Sequence, residues 1–244
     1  MNKLIVANWK MNPTSAEEAV VLAKESDAVG VVIAPPFVFL KEIKETLIRG
    51  VLAAQDVFFE NAPTGGAYTG EISAAMLKLI GATYVIVGHS ERRTVMLETD
   101  EIIGKKIGAA AAAGLIPILC VGEGSDIRKE GIESAKQYII KQLLADLQTL
   151  NQRECIIAYE PLWAIGTGEN DSPQNAAAIS RFIKQVVLEQ WGMKNIQVLY
   201  GGSVNEKNVE AFAHEADIDG FLIGGASLRS EEFKKMIEIV SHTS

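Results

Sequence analysis

Residues able to move protons or bind an anion follow directly after several short apolar runs of this sequence. They are Asn8, Lys10, His89, Ser90, Glu91, Glu160 and the glycine pairs Gly201–Gly202 and Gly224–Gly225. A carboxylate can act as a general base, and an imidazole can donate and then recover a proton. A lysine stabilises developing negative charge, and glycine lets main-chain N–H groups approach an anion closely. The set indicates proton transfer at a site with turns suited to an anion.

Each residue taken alone also fits a structural role. Glu160 before Pro161 suits a surface carboxylate at the end of a strand, because Glu is mostly exposed. His89 suits a structural histidine, and Lys10 suits a solvated cation. A Gly-Gly pair is usually a turn. The functional interpretation therefore depends on whether the fold brings these positions together.

Eight apolar runs rich in Val, Ile and Leu precede or separate these positions. They are residues 4–7, 29–34, 51–54, 84–87, 116–121, 155–159, 196–200 and 218–223. Continuous apolarity over four to six residues predicts strands of a parallel sheet covered on both faces.

The segments between the strands carry helix signals. Ser15 with Glu18 resembles a capping box for a helix to Lys24, and Ser172-Pro173 predicts a helix start that runs toward Trp191. Residues 132–150 and 231–240 have the apolar spacing of helices packed on a sheet.

Eight strand–helix repeats predict an α/β fold, a (β/α)8 barrel, formed by residues 1–244 as one catalytic domain. A doubly wound open sheet is the alternative. In a barrel the polar residues after the strands would share one mouth, which favours the barrel.

Charge and cysteine content limit the partners. The 23 Lys+Arg and 31 Asp+Glu residues give a formal net charge of -8, which opposes binding to nucleic acid or to an anionic membrane. The N-terminal run at residues 3–7 is too short for a signal or a membrane span. Cys120 and Cys155 lie in apolar runs without the spacing of a zinc site, so we expect reduced thiols and a cytoplasmic protein.

Five segments, in family order, resemble the signatures of the triosephosphate isomerase family. They are residues 7–12 (ANWKMN), 87–93 (VGHSERR), 158–168 (AYEPLWAIGTG), 200–204 (YGGSV) and 223–226 (IGGA). Residues 34–36, 55–56 and 120–123 resemble its connecting segments. The resemblance extends from Asn8 to the final helix.

The resemblance implies interconversion of dihydroxyacetone phosphate and glyceraldehyde 3-phosphate, in glycolysis and gluconeogenesis, without a metal or a cofactor. It implies Glu160 as the base, His89 as the electrophile, Lys10 as the electrostatic clamp and Asn8 as an orienting residue, with Glu91 in support. An enediolate intermediate requires such a base together with donors for its oxygens.

The resemblance also implies how the phosphate of the substrate is bound and enclosed. Main-chain N–H groups at Gly166, Ser203, Gly224 and Gly225 would hold the phosphate, which reconciles an anionic substrate with an acidic protein. Residues 161–168 resemble a lid that closes over the site and excludes water.

Two departures from the family pattern stand out. Met96-Leu97 occupy the place of a usual aromatic residue and glycine, which puts the local backbone and the subunit packing in question. Glu169-Asn170-Asp171 replace the usual Lys and small residues at the lid hinge, which puts the speed of lid motion in question.

Two other functions share some of these features. Another phosphate-binding barrel enzyme, such as a sugar-phosphate aldolase, would share the glycine turns but not the lid motif after Glu160, and Lys10 is placed wrongly for a Schiff base. A catalytically silent barrel is opposed by the presence of Asn8, Lys10, His89 and Glu160.

The segment at residues 55–71 predicts a homodimer. It is a long connection with glycines and with apolar residues that we expect to be exposed, and such a loop usually has a function. It resembles the family's interdigitating loop, in which Thr69 would support Asn8 and Lys10 of the partner. A surface loop packed on its own subunit is the alternative.

Overall fold

A computed structural model describes residues 3–62, 65–150, 154–164 and 171–243. Within these residues eight parallel strands close into a barrel in chain order, with the last strand beside the first. The strands are β1 Leu4–Asn8, β2 Val31–Ala34, β3 Val51–Ala54, β4 Tyr84–Val87, β5 Ile116–Val121, β6 Ile156–Tyr159, β7 Gln197–Tyr200 and β8 Gly220–Ile223. All eight predicted strands are confirmed, and the closed order excludes the open sheet.

The strands are apolar throughout because each of them is covered on both faces. Alternate side chains fill the barrel interior, as Val6, Ile118 and Ala158 do, whereas neighbours such as Ile5 and Leu119 pack beneath the outer helices. This two-residue period continues past the strand ends. Asn8, the last residue of β1, and Glu160, the first residue after β6, therefore extend the inward-facing rows of these strands into the mouth of the barrel.

Helices cover the outside of the barrel. They are α1 Ala16–Ser26, α2 Leu40–Thr46, α3 Ala74–Leu79, α4 Ser90–Thr94, α5 Asp100–Ala112, α6 Ser125–Lys129, α7 Ile132–Asp146, α8 Pro173–Trp191, α9 Val209–Ala213 and α10 Ser230–Thr243. Short 3-10 turns lie at Phe37–Phe39, Leu147–Thr149, Leu162–Ala164 and Gly225–Leu228. None of the described helices combines the length and apolarity needed to cross a membrane.

The predicted helix starts are confirmed. The Ser15 hydroxyl accepts a hydrogen bond of 3.2 Å from the Glu18 N–H at the start of α1. The Ser172 hydroxyl accepts one of 3.2 Å from the Asn175 N–H at the start of α8, where Pro173 is the first helical residue. Satisfying one otherwise unpaired amide in this way fixes where each helix begins.

Candidate active site

The carboxyl ends of the strands surround a cavity of about 280 Å³, here called the mouth cavity. Its lining includes Asn8, Lys10, His89, Glu160, Gly201, Gly202, Ser203, Val204, Asn205, Gly224, Gly225 and Arg229. Nine residues that the sequence singled out, from five strand ends, thus meet in one place. The predicted phosphate-binding residue Gly166 lies outside the described residues.

Glu160 follows β6 directly and is 2% exposed. Its main-chain N–H donates to the Val121 carbonyl at 2.8 Å, which continues the pairing of β6 with β5. Its Oε2 accepts a hydrogen bond of 2.9 Å from the Ser90 N–H, and its Oε1 lies 3.3 Å from Nε2 of His89. The carboxylate is therefore held at the edge of the mouth cavity beside the imidazole.

His89 lies at the start of α4, and one ring nitrogen faces that helix. Its Nδ1 accepts a hydrogen bond of 3.2 Å from the Glu91 main-chain N–H. Because an accepting nitrogen carries no proton, this bond places the ring proton on Nε2, the atom nearest Glu160. The imidazole can thus donate a proton at Nε2 toward the mouth cavity.

Lys10 is held in a restrained conformation just beyond β1. Its φ angle of 53° lies in the left-handed region, which a residue with a side chain adopts at a cost. The Asn8 Oδ1 accepts a hydrogen bond of 3.0 Å from the Lys10 N–H, and the Gln55 amide donates one of 2.8 Å to the Lys10 carbonyl. The neighbours on both sides therefore fix the backbone from which the ammonium group extends.

The ammonium group of Lys10 lies 2.6 Å from Oε1 of Glu91. Burial alone would raise the pKa of Glu91, but the hydrogen bond and the charge of Lys10 outweigh burial and lower it. The Lys10 side chain is half-buried rather than enclosed. The pair keeps a cation beside the mouth cavity while both groups stay accessible to solvent.

The glycine turns bring main chain close to this cation. A Cβ atom at Gly224 would lie 3.2 Å from Cε of Lys10, so the turn after β8 packs directly on the lysine stem. Ser203 follows β7, and its N–H and hydroxyl donate to the Ala164 carbonyl at 3.1 and 2.5 Å. In this arrangement the Ser203 N–H is already paired, so a bound phosphate would have to displace Ala164.

The described start of the predicted lid is tied to a buried carboxylate. The Trp163 indole donates a hydrogen bond of 3.1 Å to Glu123, which also accepts one of 3.1 Å from the Tyr159 hydroxyl. Burial raises the pKa of Glu123. Arg128 lies over the Trp163 ring at 5.2 Å and reaches Asp171 at 3.4 Å. Residues 165–170 lie outside the described residues, and they include Glu169 and Asn170 of the hinge segment that differs from the family pattern.

The loop at residues 55–71 is anchored at its start and exposed near its end. Asp56 pairs with Lys106 at 2.7 Å and with Arg92 at 2.9 Å. The prediction that the apolar residues of this loop are exposed is wrong for Val57 and Phe58, which pack against their own subunit and are buried. Residues 65–71 are exposed, including Thr69.

A second cavity, here called the side cavity, has a volume of about 390 Å³ and lies beside Lys10. Its lining includes Met11, Phe37, Gln55, Glu91 and Met96. Two large apolar side chains of its lining remain exposed, Met11 at 88% and Met96 at 61%. Leu97, next to Met96 in the chain, has a left-handed φ of 57° and is 75% exposed. The side cavity therefore opens onto an uncovered apolar surface.

Sequence reasoning missed two residues that position the site. Gln55 supports Lys10, and its place directly after β3 was the available signal. Arg93 donates to the Gly88 carbonyl at 2.8 Å and to the Cys120 carbonyl at 3.0 Å, so it braces the backbone next to His89.

Arg93 also pairs with Asp146 at 2.6 Å. Burial raises the pKa of Asp146 to about 7, although the charge and hydrogen bond of Arg93 oppose the rise. Of the two carboxylates that Arg93 contacts, Asp100 and Asp146, the buried Asp146 is thus the one that is costly to ionise.

The closed barrel and the mouth cavity together define a class, the (β/α)8 barrel proteins that carry acid–base residues and glycine turns at one mouth. A family model described as triosephosphate isomerase matches residues 3–240. The chain therefore belongs to the triosephosphate isomerase family.

Curated relatives named triosephosphate isomerase agree with this assignment. The protein of Caldanaerobacter subterraneus subsp. tengcongensis is 43% identical, with 96% of this chain and 98% of the relative covered. That of Dictyoglomus thermophilum is 42% identical, with 97% and 98% covered. That of Carboxydothermus hydrogenoformans is 41% identical, with 96% and 97% covered.

Proposed function

We propose that this protein is a triose-phosphate isomerase that interconverts dihydroxyacetone phosphate and D-glyceraldehyde 3-phosphate, a step of glycolysis and gluconeogenesis. The observation that carries the proposal is the meeting of Glu160, the Nε2–H of His89 and the Lys10 ammonium group around one cavity. Removing a proton from a carbon next to a carbonyl group needs this combination: a base, a proton donor for the oxygens and a positive charge. Residues 1–244 act as one catalytic domain in this proposal.

Glu160 is the base that moves the proton between C1 and C2 of the substrate. Removing a proton from one carbon leaves an enediolate, and Glu160 returns the proton to the neighbouring carbon. His89 gives its Nε2 proton to one oxygen and takes a proton from the other, so the protein ends each cycle unchanged. Lys10, oriented with the help of Asn8 and Glu91, stabilises the negative charge that develops on the oxygens.

The phosphate group is held by main-chain N–H groups at Gly166, Ser203, Gly224 and Gly225. The absence of a Cβ at Gly224 and Gly225 lets the chain approach the anion. Ser203 becomes available when the phosphate replaces the Ala164 carbonyl as its acceptor. That exchange ties phosphate binding to movement at the start of the lid, residues 161–168.

A coupled assay with purified protein and glyceraldehyde 3-phosphate tests the activity. We expect turnover without added metal or cofactor, and binding of a phosphoglycolate-type analogue at least ~10²-fold tighter than substrate. Absence of turnover with tight phosphate-ester binding would indicate a catalytically silent barrel. Turnover of a different sugar phosphate would indicate another phosphate-binding barrel enzyme.

We also propose that the working unit is a homodimer formed through residues 55–71. The exposed Met11 and Met96 of the side cavity support it, because an uncovered apolar surface of this kind is a liability on a monomer. In the dimer the exposed end of the loop fills the partner's side cavity, where Thr69 supports Asn8 and Lys10. We do not expect this surface to bind nucleic acid. The net charge is -8, and among the described residues that line the side cavity both cations, Lys10 and Arg92, are paired with a carboxylate.

Analytical ultracentrifugation tests the dimer. Shortening the loop between Pro63 and Tyr68 should give a folded monomer with greatly reduced turnover, because the partner's site loses its support. A fully active monomer at micromolar concentration would contradict this account. We place the protein in the cytoplasm, where its buried Cys120 and Cys155 would stay reduced, and cell fractionation tests that placement.

A further inference from the structure

Gly122 lies opposite Glu160 where two neighbouring strands end. Val121 pairs with Tyr159 in the register of β5 with β6, so the next residues along each strand, Gly122 and Glu160, are also opposite each other. A Cβ atom at Gly122 would lie 2.5 Å from the carbonyl carbon of Glu160, 3.2 Å from its Cα and closer still to its carbonyl oxygen. Only glycine fits here, because real Cβ atoms essentially never approach backbone so closely.

The backbone of Gly122 is itself held in place from outside the barrel. Its N–H donates a buried hydrogen bond of 2.9 Å to Oε1 of Gln142 on α7. The chain on either side is paired with the Glu160 strand: the Glu160 N–H donates to the Val121 carbonyl at 2.8 Å, and the Leu162 N–H donates to the Glu123 carbonyl at 3.0 Å. Gly122 is therefore the fixed surface against which the Glu160 backbone rests.

We infer that Gly122 is a positioning residue for Glu160, and that Gln142 acts through Gly122 to fix it. The inference rests on the proposed role of Glu160 as the base. A side chain at position 122 would push the Glu160 backbone away from β5 and move the carboxylate relative to His89 and the substrate. The phosphate-binding turn after β8 packs on Lys10 at Gly224 rather than on Glu160, and it would keep its position.

The first test compares Gly122→Ala with Gly124→Ala. Gly124 is the matched control, since a Cβ there meets nothing within 4 Å and its φ of -79° suits alanine. We expect kcat of Gly122→Ala to fall by about 10²-fold, the cost of a displacement near 1 Å, and that of Gly124→Ala to stay within about twofold of the unmodified protein. The inhibition constant of inorganic phosphate should be unchanged in both variants. A general collapse of the mouth would instead raise that constant.

The second test avoids adding atoms beside Glu160. Gln142→Met removes the acceptor for the Gly122 N–H, whereas Gln142→Glu keeps an acceptor oxygen at the same distance from the chain. We expect kcat to fall by about tenfold in the first variant and to be largely retained in the second, with KM changed little in either. These variants decide the question if Gly122→Ala does not fold.

Two results overturn the inference while leaving the proposed function intact: normal kcat in Gly122→Ala, or equal losses in Gln142→Met and Gln142→Glu. Equal loss of kcat and of phosphate inhibition in Gly122→Ala also overturns it, because the effect is then on the whole mouth. If the unmodified protein has no isomerase activity, the proposed function fails and this inference fails with it. If Glu160→Gln is as active as the unmodified protein, the proposed role of Glu160 as the base fails, and this inference fails with that role.

Discussion

Oε2 of Glu160 lies 2.9 Å from the main-chain nitrogen of Ser90, a residue 70 positions earlier in the chain. The bond joins the end of β6 to the start of α4 and keeps a buried carboxylate paired on the side away from His89 Nε2. A carboxamide oxygen could accept the same bond. The hydrogen bond and the proposed proton transfer can therefore be separated by substitution.

Glu160→Gln should keep the bond to Ser90 but remove the base. We expect turnover to fall by at least ~10²-fold, the lower end for one general base, with an unchanged fold. Steady-state kinetics and circular dichroism check this. Glu17→Gln, at an exposed position of α1, is the control for loss of one negative charge. Near-normal turnover in purified Glu160→Gln would remove Glu160 from the proposed mechanism.

Lys10→Met should lower both substrate affinity and turnover, because the cation contacts charge in the bound substrate and in the transition state. Loss in kcat/KM should exceed ~10²-fold, the scale for removing one such electrostatic group. Lys24→Met, on the exposed face of α1, removes an equal charge away from the site and should have little effect. Unchanged constants in Lys10→Met would place Lys10 outside the site.

Leu97→Gly should stabilise the protein. A residue with a side chain adopts the left-handed conformation found at Leu97 at a cost of about 1–2 kcal/mol, and the greater freedom of glycine in the unfolded chain offsets only part of this. We expect the free energy of unfolding to rise by about 1 kcal/mol in urea denaturation. Leu97→Ala, which keeps a Cβ, should show no gain in the free energy of unfolding. Equal free energies of unfolding for the two variants would contradict backbone strain at Leu97.

Asp146 should make stability depend on pH. Its pKa is raised from 3.8 to about 7 in the folded protein, so the folded state holds a proton that the unfolded state has released between these values. The stability linked to this proton is fully present below pH 3.8 and is lost as pH rises toward 7. Urea denaturation at several pH values should show that Asp146→Asn removes this fall. An identical dependence of stability on pH in the unmodified protein and in Asp146→Asn would contradict the assignment of this fall to Asp146.

The fold was predictable because its signal is local. Each strand is an apolar run, and Ser15 and Ser172 are paired with helix amides within three residues, so short windows contain the information. The strand-end rule then located Asn8, His89 and Glu160. The family pattern also placed the departure at Leu97, where a left-handed residue occupies the usual place of glycine.

The rest of the site depends on contacts that short windows do not contain. The close approach of Gly122 to Glu160 follows from the register of two strands, and the support of His89 by Arg93 follows from a side chain that reaches Gly88 and Cys120 together. The prediction that Phe58 is exposed failed because its ring packs on Tyr68, ten residues later in the same loop. The roles of all the predicted site residues, including Thr69 and Gly166, stay predictions.

The proposed phosphate-binding turns at Gly224 and Gly225 use main chain rather than cationic side chains, and this has a consequence for how the protein can change over evolution. An arginine or lysine site is lost through one side-chain substitution, whereas a main-chain N–H is present in every residue except proline. Such a site would tolerate substitutions that keep the turn and would be lost mainly through insertion, deletion or a bulky residue. Affinity for the phosphate would then be inherited with the loop geometry, and the residues around it could diverge freely.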